Sequence, residues 1–180
     1  EPRYKRVKLA CYVSSLSMSV TGNLSPVLFL TFRELYGISY SLLGLLVLIN
    51  FVTQLTIDLI FSFFSHRFNI PLAVKMTPFI AMVGLLTFAA APVLFPGAVY
   101  VGLAIGTIIF SAAGGFGEVL GSPVIAAIPA KDPDREMSRL HSVYAWGVVG
   151  VILFATGFLL CFGGENWQWL TLLLTLIPLA

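Results

Sequence analysis

Long apolar stretches alternate with short polar ones along the whole chain. The apolar stretches cover residues 7–32, 40–64, 72–95, 98–128, 140–162 and 167–180. The first five exceed the roughly 20 residues that a helix needs to cross a hydrocarbon core about 30 Å thick. The last stretch would cover only roughly 21 Å at about 1.5 Å per residue, so we expect it to be an incomplete span in a chain that continues.

The apolar stretches are expected to be α-helices. Backbone N–H and C=O groups in lipid must bond within their own segment, and the alternating ten-residue segments of a membrane barrel are absent. Short polar connections between the stretches make neighbouring helices antiparallel. The pattern therefore predicts an all-α integral membrane protein, in which residues 1–180 form one bundle of six transmembrane helices with the sixth truncated.

Basic residues lie almost entirely at one end of the predicted bundle. Arg33 lies at the outer end, and the other nine lie on the side of the N-terminus. The nine are Arg3, Lys5, Arg6, Lys8, Arg67, Lys75, Lys131, Arg135 and Arg139. Since Lys and Arg accumulate in cytoplasmic loops, we predict a multi-pass protein of the cell (plasma) membrane with a cytoplasmic N-terminus. Trp167 and Trp169 then lie at the outer interface, where indole rings favour the headgroup zone.

The composition also favours lipid as the solvent of this chain. Hydrophobic residues make up 58% and charged residues 10%, whereas soluble domains carry about 25% charged residues. The net charge of +2 is too small to indicate a nucleic-acid partner. The two cysteines, Cys11 and Cys161, belong to no CxxC or Cys/His cluster, so we predict no metal site and no cofactor.

Two acidic residues lie well inside the predicted spans, Asp58 in the second and Glu118 in the fourth. An ionised carboxylate at mid-bilayer costs roughly 2.5 to 3.5 kcal/mol, so such groups should face a cavity or a partner. Counted from the cytoplasmic helix ends, Glu118 lies roughly 15 Å deep and Asp58 about 10 Å deep. The comparable depths make both residues candidates for proton coupling in one water-filled space.

Polar residues recur every four positions on the first two helices. They are Ser15, Ser19 and Asn23 on the first helix, and Asn50, Gln54, Asp58 and Ser62 on the second. Residues four apart share one helix face, so each stripe either lines a solute pathway or hydrogen-bonds to another helix. Early in the fifth helix, Trp146 either anchors the membrane interface or offers a flat apolar face to a sugar ring.

Six helices with a cytoplasmic N-terminus and a longer charged loop after the fourth resemble the first half of a major facilitator superfamily transporter. The segment Gly117-Glu118-Val119-Leu120-Gly121-Ser122-Pro123 is similar to the fourth-helix signature of the fucose permease branch. In that signature a glycine-rich approach leads to a glutamate and then, four and five residues later, to asparagine and proline. Ser122 stands in the asparagine place here. The resemblance implies that Glu118 is the proton-linked carboxylate and that a C-terminal half of the same transporter is missing.

These features predict a secondary active transporter whose partners are the lipid bilayer, a small solute and protons. The first hypothesis is proton-coupled symport of a small polar solute such as a sugar by alternating access, with Glu118 and Asp58 as the coupling residues. The candidates for the substrate pathway are Asn23, Ser19, Asn50, Gln54, Ser122 and Trp146.

Two alternatives remain, a drug-exporting antiporter of the same superfamily and a non-transporting receptor or assembly subunit. An enzyme is not expected. Ser138, His141 and Ser142 are close in sequence, but no nucleophile motif of the glycine-x-serine type surrounds them and no acid is placed to orient the histidine.

The orientation can be tested by labelling in intact cells, in a background from which Cys11 and Cys161 have been removed. We expect a membrane-impermeant thiol reagent to modify Gly164→Cys, in an outer loop, and to leave Asp134→Cys, in a cytoplasmic loop, unmodified. The reverse labelling pattern would contradict the positive-inside assignment.

Overall fold

The computed structural model describes residues 2–179, without the side chains of residues 2, 3, 70 and 71. About nine-tenths of the chain is helical, as predicted. The α-helices are α1 (Pro2–Val27), α2 (Phe29–Tyr36), α3 (Tyr40–Phe64), α4 (Ile70–Leu94), α5 (Val99–Ala127), α6 (Pro133–Phe162) and α7 (Trp167–Leu174). Short 3-10 helices lie at Ser65–Arg67, Gly164–Asn166 and Ile177–Leu179.

Four of these helices are long and apolar enough to cross a membrane. They correspond to α3, α4, α5 and α6, and the bent pair α1 and α2 makes a fifth span if it is counted as one. Many large apolar side chains on these helices are exposed; Leu160, for example, is 82% exposed and Phe63 is 71% exposed. Such a surface suits lipid and not water, which indicates a membrane protein.

The first predicted span, residues 7–32, is not one continuous helix. It divides between α1 and α2, whose axes differ by 45° at Leu28. Pro26 lies in the last turn of α1, where it has no N–H to donate to the carbonyl of Gly22 and its ring crowds that carbonyl. The prediction of a single helix was wrong because a proline near the end of an apolar run interrupts the helix without changing the hydropathy.

The segment after residue 166 also differs from a simple span. The helix α7 has eight residues, enough for about 12 Å, and it is followed by a 3-10 turn at Ile177–Leu179. The described residues therefore contain four candidate spans, or five with the bent pair, and the predicted count of six helices, with the sixth incomplete, is not confirmed.

Polar side chains cap three of the helices at the connections. Ser39 accepts a hydrogen bond from the N–H of Leu42, and Asn69 accepts one from the N–H of Leu72. Asp132 accepts from the N–H of Arg135 at 3.0 Å at the start of α6. These side-chain acceptors satisfy N–H groups that have no partner in the first helical turn, so they define where each helix begins.

The helix α5 lies at the centre of the bundle. It packs most extensively against α4 and also against α3 and α1, while α6 packs on α1 and α7 packs on α4. Glycines allow the closest approach: a Cβ on Gly106 would lie 2.7 Å from the backbone nitrogen of Phe88 in α4. In lipid, where apolar side chains gain nothing by leaving the solvent, such close backbone packing is a main source of helix association.

An aromatic cluster joins α2, α4, α5 and α7 at the end of the bundle opposite the N-terminus. The rings of Phe32 and Trp167 meet edge to face with centroids 4.9 Å apart, and Phe88 contacts both Trp167 and Phe110. The indole N–H of Trp167 donates to the hydroxyl of Tyr36 at 3.1 Å. Trp167 is fully buried whereas Trp169 is 65% exposed, and the interfacial position of the two residues stays a prediction. A hydroxyl partner inside the protein satisfies the N–H of Trp167, and the neighbouring rings cover its apolar face.

A charged contact joins α1 to α6 at the N-terminal end of the bundle. One carboxylate oxygen of Glu136 lies 3.1 Å from the ammonium of Lys8, and the other lies 3.1 Å from the guanidinium of Arg139. The hydroxyl of Tyr12 donates to the same carboxylate at 3.3 Å. These contacts attach the start of α6, which carries these charged residues, to α1.

The glycine packing can be tested with two Gly→Ala substitutions in the middle of helices. Gly106→Ala should lower stability by about 1–3 kcal/mol, because the new methyl group collides with the backbone of α4. Gly157→Ala in α6 is the matched control, since its Cβ would meet no atom within 4 Å. Thermal unfolding of the purified protein in detergent measures both; equal melting temperatures would contradict close α4–α5 packing.

Candidate functional site

A polar contact between α3 and α5 lies inside the otherwise apolar bundle. The side chain of Asn50 in α3 is buried, with 6% of its surface exposed. Its Oδ1 accepts a hydrogen bond from the hydroxyl of Ser111 in α5 at 2.5 Å and another from Nε2 of Gln54 at 2.9 Å. Asn50 and Gln54 therefore face a neighbouring helix, as the stripe on the second predicted helix indicated.

The contacts along this interface follow a constant register. Ser111 is 61 positions after Asn50, and the next contact joins Gln54 to Gly114, whose ideal Cβ would lie 3.2 Å from Nε2 of Gln54. The difference in residue number between contacting positions is almost the same for both contacts. The helices α3 and α5 therefore run in the same direction, with contacting residues at the same height in the bundle. One turn further along both helices, the same register places Asp58 beside Glu118.

The two carboxylates differ in their surroundings. Asp58 is half-buried, and its Oδ1 is a buried atom without a hydrogen-bond partner. Glu118 is exposed on the surface of the bundle and is close enough to Asp58 to experience its charge. The side chain of Glu118 is uncovered in part because Gly121, one turn away, has no side chain and faces open space. The fold thus brings together the two acids that the sequence placed at comparable depth.

The polar residues of α1 bond mostly within their own helix. The hydroxyl of Ser19 donates to the carbonyl of Leu16 at 2.6 Å, and Ser19 is fully buried against Gly147 of α6. The amide of Asn23 donates to the carbonyl of Ser19 at 2.9 Å. Ser19 therefore lies at a helix contact and not on an open surface, whereas Asn23 remains half-buried.

Two grooves cross the surface of the bundle. The larger, of about 970 Å³, lies between α1, α6 and α7; its walls include Leu16, Trp146 and Phe154, and Arg139 lies among its lining residues. The smaller, of about 430 Å³, lies between α1, α4 and α5 and includes several hydroxyl groups, among them that of Thr21. Neither groove includes Asp58 or Glu118 in its lining. The carboxylates and the larger of these two grooves are thus separate features.

The remaining pathway candidates are not part of the α3–α5 contact. Trp146 is 75% exposed on α6 and lines the larger groove. Ser122 is half-buried one turn beyond Glu118, and the register of the two helices brings it to the level of Ser62. Sequence reasoning missed Ser111, the partner of Asn50. The sequence does contain a signal for Ser111, because Ser111, Gly115 and Glu118 recur at helical spacing on one face of the fourth predicted helix.

No group of three or more metal-ligating side chains occurs in the part of the chain that the structure describes. No protein-family model, no curated protein and no solved structure matches the chain. The fold and the apolar surface therefore define the class of protein, an α-helical membrane protein, and what it does must be argued from its own residues.

The environment of Glu118 can be tested through the reactivity of introduced thiols. A thiol reacts as the thiolate, which forms in water and not in hydrocarbon. In membranes, we expect Glu118→Cys to react with a small maleimide at least about tenfold faster than Ile108→Cys, an exposed position on the same helix with an apolar residue. Equally slow reaction at both positions would mean that Glu118 faces lipid.

Proposed function

We propose that this bundle is the N-terminal half of a proton-coupled secondary transporter of the major facilitator type. It carries a small polar solute, such as a sugar, across the plasma membrane by alternating access against a second helical bundle. The observation that supports this proposal best is the proximity of Asp58 and Glu118, on two parallel helices, within the long apolar spans α3 and α5. In this proposal the N-terminus is cytoplasmic.

The exposure of Glu118 supports a water-filled space next to α5. An ionised carboxylate is costly in hydrocarbon, so a side chain in this position needs water, a proton or a partner. Gly121, one turn beyond Glu118, faces open space and leaves room for a solute to approach the helix closely. A pathway along α3 and α5 would supply amide and hydroxyl groups from Gln54 and Ser122 next to the carboxylates.

Proton coupling follows from the two states of the carboxylate. When protonated, Glu118 can donate a hydrogen bond to a solute hydroxyl; when ionised, it can only accept. A proton or solute shifts the balance between inward-open and outward-open states only if it binds one of them more tightly. A carboxyl group that contacts the solute in one state and water in the other provides this difference, so the proton gradient can drive accumulation.

One observation favours the alternative of a drug-exporting antiporter. The groove of about 970 Å³ has almost entirely apolar walls, with Trp146 and Phe154 offering flat rings to a large apolar ligand. However, the carboxylates lie outside this groove, and an exporter of cationic drugs needs an acid beside the bound ligand. We therefore favour symport of a polar solute, and the direction of proton movement separates the two functions.

Substitution of Glu118 tests the coupling role. Glu118→Gln keeps the shape and a hydrogen-bond donor but cannot release a proton, so we expect solute exchange to continue while proton-driven accumulation falls to the equilibrium level. Glu34→Gln, a carboxylate exposed at the end of α2, is the matched control and should accumulate solute like the unmodified protein.

The measurement is uptake of radiolabelled sugars into proteoliposomes that contain the complete transporter, with and without an imposed pH gradient. Accumulation by Glu118→Gln at the level of the unmodified protein would contradict the coupling role. Proton-driven efflux of an organic cation, with no sugar uptake, would favour the antiporter. No flux of any solute would favour a receptor or an assembly subunit.

A further inference from the structure

Asn50 is a buried polar residue whose amide oxygen is already engaged within the protein. Both lone pairs of its amide oxygen accept, one from Ser111 and one from Gln54. With 6% of its surface exposed, the side chain offers little to a solute in the pathway. Its position between two helices points instead to a role in holding them together.

Other contacts between α3 and α5 lie toward the two ends of the interface, where the hydroxyl of Tyr100 donates to the carbonyl of Leu42 at 2.9 Å and the rings of Phe61 and Phe116 meet edge to face. Between these ends, Asn50 and Ser111 form the one hydrogen bond between side chains of α3 and α5 in the described residues. One turn along α5 lie Gly114 and Gly115, which let Gln54 and Ile57 of α3 approach closely. Gln54 lies over Gly114, and its amide is held there by the bond to Asn50. The amide of Asn50 therefore determines both the level of α5, through Ser111, and the orientation of Gln54.

We propose that Asn50 is a positioning residue that holds α3 and α5 in the register at which Asp58 and Glu118 meet. The inference rests on the proposed function, in which these carboxylates carry the proton. Asn50 contacts neither the proton nor the solute. It acts two turns away from Asp58 on the same helix, so a shift or rotation of α3 at Asn50 is transmitted along the helix to the carboxylate.

Cysteine cross-linking tests the geometry without any need for transport. In the complete protein in membranes, freed of Cys11 and Cys161, the pair Asp58→Cys and Glu118→Cys is treated with a short bifunctional thiosulfonate. Addition of Asn50→Leu should slow cross-linking about fivefold, the factor that corresponds to about 1 kcal/mol of lost interhelical hydrogen bonding. The matched control is Thr56→Val on the same helix, whose hydroxyl is exposed and bonds only to the carbonyl of Val52.

A second variant keeps the test decisive if Asn50→Leu folds poorly. Ser111→Ala removes the donor from α5 and should slow the same cross-link to a similar extent. The double variant Asn50→Leu/Ser111→Ala should be no slower than either single variant, because both remove one shared interaction. Additive effects would mean that the two residues act independently and would overturn the proposal.

The pH dependence of solute exchange distinguishes a positioning role from a purely structural one. In the protein with native carboxylates, solute exchange is measured as a function of pH. Asn50→Leu should move the midpoint pH of exchange toward the midpoint measured for Asp58→Asn, because the two carboxylates no longer meet. An unchanged cross-linking rate in Asn50→Leu and Ser111→Ala would overturn the proposal. Failure of the proposed function would be seen separately, as an absence of solute flux in the unmodified protein while the cross-linking results still hold.

Discussion

The bundle depends on the close approach of α5 to the helices around it. In lipid, helices do not associate to remove apolar surface from water, so they need backbone contact and interhelical hydrogen bonds. Gly106 provides the backbone contact with α4, and Gly114 and Gly115 provide it with α3. Once α5 is this close to α3, the short side chains of Ser111 and Asn50 can reach one another. The approach of the carboxylates one turn beyond Gln54 follows from the same contact.

Much of the fold could be predicted because its signals are local. Apolar length predicted α3, α4, α5 and α6, although α6 begins at Pro133, before its apolar stretch starts. The break at Leu28 was not predicted, since hydropathy is insensitive to the hydrogen bond that Pro26 cannot make. Trp167 was assigned to the outer interface from the predicted topology and its residue type, and neither of these reveals whether a side chain is buried. Its burial depends on Phe32, Phe88 and Tyr36, which come from other helices.

The candidate site was also predictable in part, because some of its signals are local in the sequence. A stripe on one helix can be found from spacing, and the depth of Asp58 and Glu118 can be found by counting residues. Which helix a stripe faces depends on tertiary packing, so Ser111 was missed although its spacing from Glu118 is regular. Ser19 carried the same signal as Asn50, yet it packs against Gly147 and bonds within its own helix. Periodicity alone does not separate a pathway residue from a packing residue.

The central claim is that a proton and a solute move together past the carboxylates on α3 and α5. The most direct measurement is the internal pH of proteoliposomes, loaded with a trapped pH dye, when an inward gradient of sugar is imposed without any initial pH difference. Symport predicts that the interior acidifies as sugar enters, and that Asp58→Asn and Glu118→Gln abolish the signal while sugar exchange continues. Sugar entry with no pH change, or with alkalinisation of the interior, would contradict the account.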